Sequence, residues 1–258
     1  MEFIDSHCHL PPLSNKPLLD KVLQEALSEE VVRFVNIGTS VKNNELALDV
    51  ARKYDHVFST AAIYPHEDLG ESLPDLRVCL ENFVVSNRLF VVAVGECGID
   101  ISDWEGGRSL EDQIPLFEMQ AELAKKLDLP LIVHNRNGEA QVLDVLRGVG
   151  SNKGVIHCFS SSWEFAKSVL DLGFYISFSG FITYENRNSL LETVRKVPVD
   201  RILIETDSPY IPPAGHRGEK NMPKYVKLVA QKVSDIKGIT LGEVADFSTN
   251  NARRLFNI

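Results

Sequence analysis

Long apolar runs are missing from this 258-residue chain. No stretch of about 20 apolar residues offers a transmembrane helix. Met1-Glu2-Phe3-Ile4-Asp5 puts no basic segment ahead of an apolar one, so no signal peptide is expected either. The cytoplasm, or another reducing compartment, is the expected location. Cysteine is scarce, and Cys8, Cys79, Cys97 and Cys158 show no Cys-x-x-Cys spacing; a disulfide framework is not expected in so long a chain. Positive charge is in deficit, with 27 Lys and Arg against 36 Asp and Glu, a net charge of −9. A protein that lies along duplex nucleic acid through many phosphate contacts needs a broad basic face, and this composition does not supply one. A metal-centred pocket that takes a few phosphates stays open. No Gly-x-Gly-x-x-Gly follows the first apolar stretch, which counts against a dinucleotide fold. Linkers, low-complexity tracts and composition breaks are absent too, so residues 1–258 read as one domain, at a length familiar for an α/β barrel.

What is present is alternation. Short apolar runs rich in Val, Ile and Phe, the composition of parallel strands buried on both faces, alternate with segments of helical periodicity. Strands are expected at Phe3 onward, Arg33 to Gly38, Val57 to Ile63, Leu89 to Val94, Leu129 to Val133, Gly154 to Ile156, Phe174 to Phe178 and Arg201 to Ile204. Helices are expected at about 17–30, with Ser14 and Asn15 as candidate caps, then 42–53, 73–86, 109–127, 138–147, 162–172 and 185–196, with helices only from 222 to 256. Eight strand-then-helix units favour a closed (β/α)8 TIM barrel over an open sheet.

Polar residues collect where those strands end. His7 and His9 close the first strand; in extended chain i and i+2 face the same side, so two imidazoles are presented to one point. His66 lies just past the third strand, Glu96 past the fourth, His134 past the fifth, His157 past the sixth, and Glu205 and Asp207 past the eighth. A barrel's active site assembles at that carboxyl-terminal face. Imidazole and carboxylate together suit a divalent metal. Six candidate ligands, His7, His9, Glu96, His134, His157 and Asp207, exceed what one four-coordinate zinc with an open position uses. Two divalent ions (Mg, Mn or Zn) bridged by Glu96 fit the number better. Singly, each residue has a plainer explanation as a cap, a turn former or a satisfied core histidine; jointly at one face they do not. Cys8, Cys97 and Cys158 directly follow candidate ligands and read as small buried hydrophobes on the outward side of their strands.

Several stretches resemble the TatD family of metal-dependent deoxyribonucleases, within the amidohydrolase-like TIM barrels: Asp5 to Leu10 (DSHCHL), Tyr64-Pro65-His66, Gly95 to Asp100 (GECGID), Pro130 to Arg136 (PLIVHNR), Gly154 to Ser160 (GVIHCFS), Ile176 to Gly180, Leu203 to Tyr210 (LIETDSPY), Arg217 to Pro223 and Asn250 to Phe256. They run through the whole chain in family order. The resemblance implies metal binding by His7, His9, Glu96, His134, His157 and Asp207, and a substrate role for His66 and Arg136. The rim departs from the family's usual pattern: Ser161 follows Ser160 where Gly is usual, Met222 stands in Asn-x-Pro where Glu is usual, and Ala62-Ile63-Tyr64 precedes Pro65 where Gly and His are commoner.

The expected chemistry is hydrolysis of DNA phosphodiester bonds by metal-activated water, with Asp207 as proton acceptor, Glu96 as bridge, and His66 and Arg136 donating to phosphate. The acidic balance favours single-stranded or frayed ends and exonucleolytic attack, with no membrane partner; nothing in the sequence demands more than a monomer. Phe159 and Tyr210 are the obvious candidates for base stacking. Two rivals remain open at this point: hydrolysis of an amide, ester or lactone by the same metal shell, and a non-catalytic binding protein carrying a relic site.

Overall fold

A computed structural model describes residues 1–10 and 16–258. The eight expected strands form one parallel sheet in sequential order: β1 (Phe3–Cys8), β2 (Val31–Asn36), β3 (Val57–Ala61), β4 (Val91–Asp100), β5 (Leu131–Arg136), β6 (Gly154–Ile156), β7 (Tyr175–Phe178) and β8 (Ile202–Ile204). Each is followed by a helix: α1 (Lys16–Ser28), α2 (Val41–Ala51), α3 (Leu73–Ser86), α4 (Leu110–Lys126), α5 (Glu139–Val149), α6 (Trp163–Asp171), α7 (Asn188–Lys196), then α8 (Val226–Lys237) and α9 (Leu241–Phe256). This is the TIM barrel the alternation predicts. The candidate caps Ser14 and Asn15 lie outside the described residues. Elsewhere capping follows the sequence. The side chains of Ser40, Ser72, Ser109 and Ser162 accept backbone N–H groups at the starts of α2, α3, α4 and α6, and Thr240 with Glu243 makes a reciprocal capping box at α9.

Two apolar layers hold the barrel. Phe3, Phe34, Phe117, Phe174 and Phe178 belong to the layer between strands and helices. A smaller cluster, drawn from most strands, contains Ile4, Val35, Val92, Ile132, Val155 and Leu203, and α9 adds Ala252, Leu255 and Phe256 to it. Burying each large side chain of this kind stabilises by about 1.5–3 kcal/mol. Helix α9 is tied to the amino-terminal ends of β1 and β8: Thr249 Oγ1 donates to Glu2 O (2.8 Å) and the Asn251 amide to Ile202 O (2.9 Å). The opposite ends of the strands are left open.

Strands differ from expectation where the candidate ligands sit: β5 does not end at Val133 but runs through His134 to Arg136. β4 does not stop at Val94 but runs on through Glu96 to Asp100, paired with β5 as far as Asp100–Arg136. Gly98 permits this: a Cβ there would lie 2.0 Å from His134 O. The glycines flanking Glu96 thus mark close approach of two strands rather than a turn. Both β1 and β4 also carry an extra residue relative to their neighbours. Four residues of β1 (Asp5 to Cys8) span three of β2 (Phe34 to Asn36), and four of β4 (Val94 to Cys97) span three of β5 (Leu131 to Val133). Such bulges re-aim the side chains beside them, here those of His7 and Glu96.

The barrel closes thinly between its last strand and its first. Among the described residues, the segment after β8 meets the end of β1 through an isolated bridge, Cys8 with Ser208, and two backbone hydrogen bonds, His9 N to Ser208 O (2.7 Å) and Asp207 N to His7 O (2.9 Å).

Candidate metal centre

Two clusters of nitrogen and oxygen donors face each other at the carboxyl-terminal mouth. In the first, His7 Nε2 and His9 Nε2 are 3.3 Å apart, and Asp207 Oδ1 lies 3.6 and 3.3 Å from them. In the second, His134 Nδ1 is 3.2 Å from His157 Nε2 and 3.8 Å from Glu96 Oε1. Glu96 joins the two: its Oε2 is 2.7 Å from His7 Nε2 and 3.5 Å from His157 Nε2. Every one of the six expected side chains is therefore in one place, and groups among them can hold a metal ion.

Asp207 has left-handed backbone (φ 57°), uncommon for a residue with a side chain. Its neighbours hold it there. Buried Asp5 accepts the Thr206 N–H (2.9 Å) and hydroxyl (2.5 Å), and Thr206 Oγ1 accepts the Ser208 N–H (3.1 Å). Burial pushes the Asp5 carboxyl up to about 8 despite those bonds from Thr206.

Carboxylates behind the rings set which nitrogen faces inward. His134 Nε2 donates to Asp100 Oδ2 (3.2 Å), leaving Nδ1 toward Glu96; the Tyr64 hydroxyl donates to the same oxygen (2.6 Å). His157 Nδ1 donates to Glu205 Oε1 (3.3 Å), which also accepts the Cys158 N–H (2.8 Å). Asp100 and the orienting role of Glu205 were not read from the sequence. Asp100 had a signal: it lies four residues beyond Glu96 with the same strand parity. Removing either partner, by Asp100→Ala or Glu205→Ala, is expected to weaken metal retention about 10- to 100-fold with the fold intact. Metal titration beside a circular-dichroism melt checks this, and unchanged retention in both variants would refute the orienting role.

The charges are mutually dependent. Burial opposes ionisation of Glu96, yet the His157 and His7 imidazoles hold its carboxyl well below the usual range. Burial likewise opposes charge on His157, but Glu96 and Glu205 push it up to about 9. For His7 burial prevails, helped by charge on His157, and its pKa falls.

Above the donors opens a cavity of about 420 Å3, walled by Tyr64, Trp104, Arg136, Phe181 and Tyr210 among others. Arg136 is half exposed there, 3.7 Å from Asp100. His66 is not in this wall. It is buried, its Nδ1 accepts the Arg108 N–H (3.1 Å), and its Nε2 is enclosed without a partner among the described residues. The chain from Trp104 to Arg108 folds over it, a segment that composition marks only as polar loop. Phe159 packs in the core against Phe165 and Phe178 and offers no stacking face, whereas Tyr210 stands exposed at the mouth. Of the cysteines, Cys8 and Cys97 are buried as expected. Cys79 is exposed, and Cys158 borders the cavity with Sγ 3.1 Å from Ser179 Oγ, because left-handed backbone at 158 (φ 44°) turns it off the strand line.

A parallel eight-stranded barrel with a histidine–carboxylate cluster at the carboxyl ends of its strands has the build of a metal-dependent hydrolase. Known proteins agree. The chain is 36% identical over 264 residues to the uncharacterized metal-dependent hydrolase YcfH of Escherichia coli (strain K12), covering 100% of this chain and 97% of that protein. It is 34% identical over 256 residues to the uncharacterized metal-dependent hydrolase YabD of Bacillus subtilis (strain 168), covering 98% of each. The crystal structure of YJJV, a TatD homolog from Escherichia coli K12, superposes with a TM-score of 0.92 at 30% identity, over 99% of this chain and 98% of that one. The chain belongs to the TatD family: the family model described as TatD related DNase matches residues 4–257. It is a metal-dependent hydrolase of that family. Among the described residues no helix is long and apolar enough to cross a membrane.

Proposed function

We propose that residues 1–258 form one cytoplasmic deoxyribonuclease domain that hydrolyses DNA phosphodiester bonds from strand ends with two divalent ions. The observation that carries this is the joining of two donor clusters through the two oxygens of Glu96, at the floor of an open cavity with Arg136 in its wall.

Donor spacing supports the two-ion reading. Atoms about 2.0–2.1 Å from one tetrahedral ion stand roughly 3.3–3.4 Å apart. The separations are 3.3 to 3.6 Å among His7, His9 and Asp207. His134 Nδ1 and His157 Nε2 are 3.2 Å apart, with Glu96 Oε1 3.8 Å from the first and Glu96 Oε2 3.5 Å from the second. Glu96 Oε2 also lies 2.7 Å from His7 Nε2 in a geometry that makes no hydrogen bond, a contact that a cation would satisfy from both sides. Magnesium, manganese or zinc held there supplies Lewis acidity and lowers the pKa of water toward neutrality.

The chain's own residues do the rest. Burial works against charge on Asp207, but the His9 contact and the charges of the other imidazoles keep its carboxyl below the usual range, so it is ionised and able to take the proton of the attacking water. The Arg136 guanidinium makes a long ion pair with Asp100 through one nitrogen (3.7 Å) and is half exposed, which leaves its other N–H groups to donate to phosphate oxygens. The acidic composition leaves few other phosphate contacts, which favours single-stranded or frayed termini over long duplex.

End-labelled single- and double-stranded DNA, a covalently closed circle and a panel of esters and lactones, each incubated with protein and metal, test the assignment. Loss of label from ends, faster than nicking of circles, is expected. Ester hydrolysis without DNA cleavage would replace the nuclease reading with the broader hydrolase one. Binding of a single-stranded oligonucleotide by Asp207→Asn should fall with salt at a log–log slope near −2, the value for about three phosphates at roughly 0.7 each. A slope steeper than about −5 would reveal an extended groove instead.

A further inference from the structure

We propose that Trp104 is a nucleobase platform, which with Tyr210 on the opposite wall frames the scissile phosphate. This rests on the nuclease reading above and adds how the substrate is gripped.

Trp104 is 50% exposed and lines the cavity above the donor clusters. One face of its indole is already taken: His66 stacks on it, ring centroids 5.0 Å apart and planes 16° from parallel. Tyr64 approaches the indole at a tilt (centroids 6.1 Å, planes 52° apart), and the half of the side chain left exposed borders the cavity, where a planar aromatic can pack on it. This is a constructed arrangement rather than a stray surface tryptophan. The Gly107 N–H donates to Trp104 O (3.0 Å), closing a tight turn whose third residue, Gly106, has φ 70°, a value that suits glycine. Gly107 then passes so close to the imidazole that a Cβ would lie 2.4 Å from His66 Nδ1. Arg108 pins the turn, donating from its guanidinium to Pro65 O (3.1 Å) and Glu67 O (2.8 Å) and from its backbone to His66. His66 thus acts as a backing plate, a positioning residue that serves substrate through Trp104.

Tyr210 is the counterpart. It is 55% exposed, its ring meets His9 edge-on at 5.4 Å, and the Asn221 amide fixes its backbone by donating to Tyr210 O (2.6 Å). Trp104 follows β4 and Tyr210 follows β8, and in an eight-stranded barrel those strands lie half a circuit apart. The six donors sit between them. A single strand whose phosphate rests on the donors therefore has an aromatic face on each side of the cleavage point. Stacking on such faces tolerates any base, because every base has a π-face. It also supplies affinity that the acidic surface cannot.

The test is a cycle of two substitutions, one in the protein and one in the substrate, read as kcat/KM with metal-loaded enzyme. The substrates are a short single-stranded oligonucleotide and versions with one abasic residue at each position near the cleaved bond. Wild type should lose roughly 5- to 150-fold, the span of base–aromatic stacking, when one particular base is removed. Trp104→Ala should lose a similar factor on the intact oligonucleotide and nothing further on that abasic one, and Trp104→Phe should recover most of the loss. Oligonucleotide binding should also quench the tryptophan fluorescence of the Trp163→Phe protein, in which Trp104 is the sole tryptophan. If the two losses multiply, or if no abasic position matters while intact DNA is still cut, Trp104 only covers His66 and the platform is refuted. If no oligonucleotide is cleaved at all, the nuclease assignment falls first and the platform with it.

Discussion

Glu96→Ala should strip the protein of most of its bound metal and of its hydrolytic activity together. The carboxylate sits between two donor clusters, one oxygen toward His7 and the other toward His134, so no remaining side chain bridges them once it is gone. The imidazoles that now hold Glu96 ionised would instead face one another without a counter-charge, which weakens cation binding on both sides. Metal acting as Lewis acid and water activator supplies several kcal/mol of catalysis, so turnover should fall by about 10³-fold or more. Metal content after gel filtration, measured beside kcat on the same preparation, checks the claim. A variant that keeps two ions per chain and loses only turnover would make Glu96 a proton carrier rather than a bridge.

Asp207→Asn should separate the two properties that Glu96→Ala loses jointly. The amide keeps an oxygen at the Oδ1 position, 3.3 Å from His9 Nε2, so the first cluster retains a donor. It cannot take a proton from water. Metal content should therefore stay well above that of Glu96→Ala, while kcat drops by about 10²- to 10⁴-fold, the usual worth of a positioned general base. Near wild-type turnover in this variant would move the proton to another acceptor.

Much of this site is legible in sequence because strand ends are legible. An apolar run that stops at a histidine or carboxylate places that residue at a known level of the barrel, and His7, His9, His134, His157 and Asp207 all follow the rule. The exceptions have physical causes. β4 runs four residues beyond Glu96, because Gly98 lets it continue where a side chain would strike β5. The direction of His7 and Glu96 depends on one inserted residue in β1 and in β4, and parity arguments assume none. Asp100 hides as an ordinary strand residue, paired across the sheet with Arg136, until its carboxylate is found against the ring of His134 on the same neighbouring strand. His66 is conspicuous in sequence, yet its surroundings come from a turn forty residues later, whose two glycines and arginine carry no periodic signal. Nothing local to Tyr64-Pro65-His66 foretells that Trp104 will lie on it.

The seam between β8 and β1 has a consequence in time. His7 and His9 stand on one side of it and Asp207 on the other, and few backbone contacts join the sides. On the proposed assignment, an ion held by those three side chains is the clasp that shuts the ring. Translation makes His7 early and Asp207 two hundred residues later, so the clasp has nothing to fasten until β8 exists. A chain still being made carries the first five donors and none of the hydrolytic competence. On that assignment the active site stays silent during its own synthesis, and becomes live only as the circle of strands is completed.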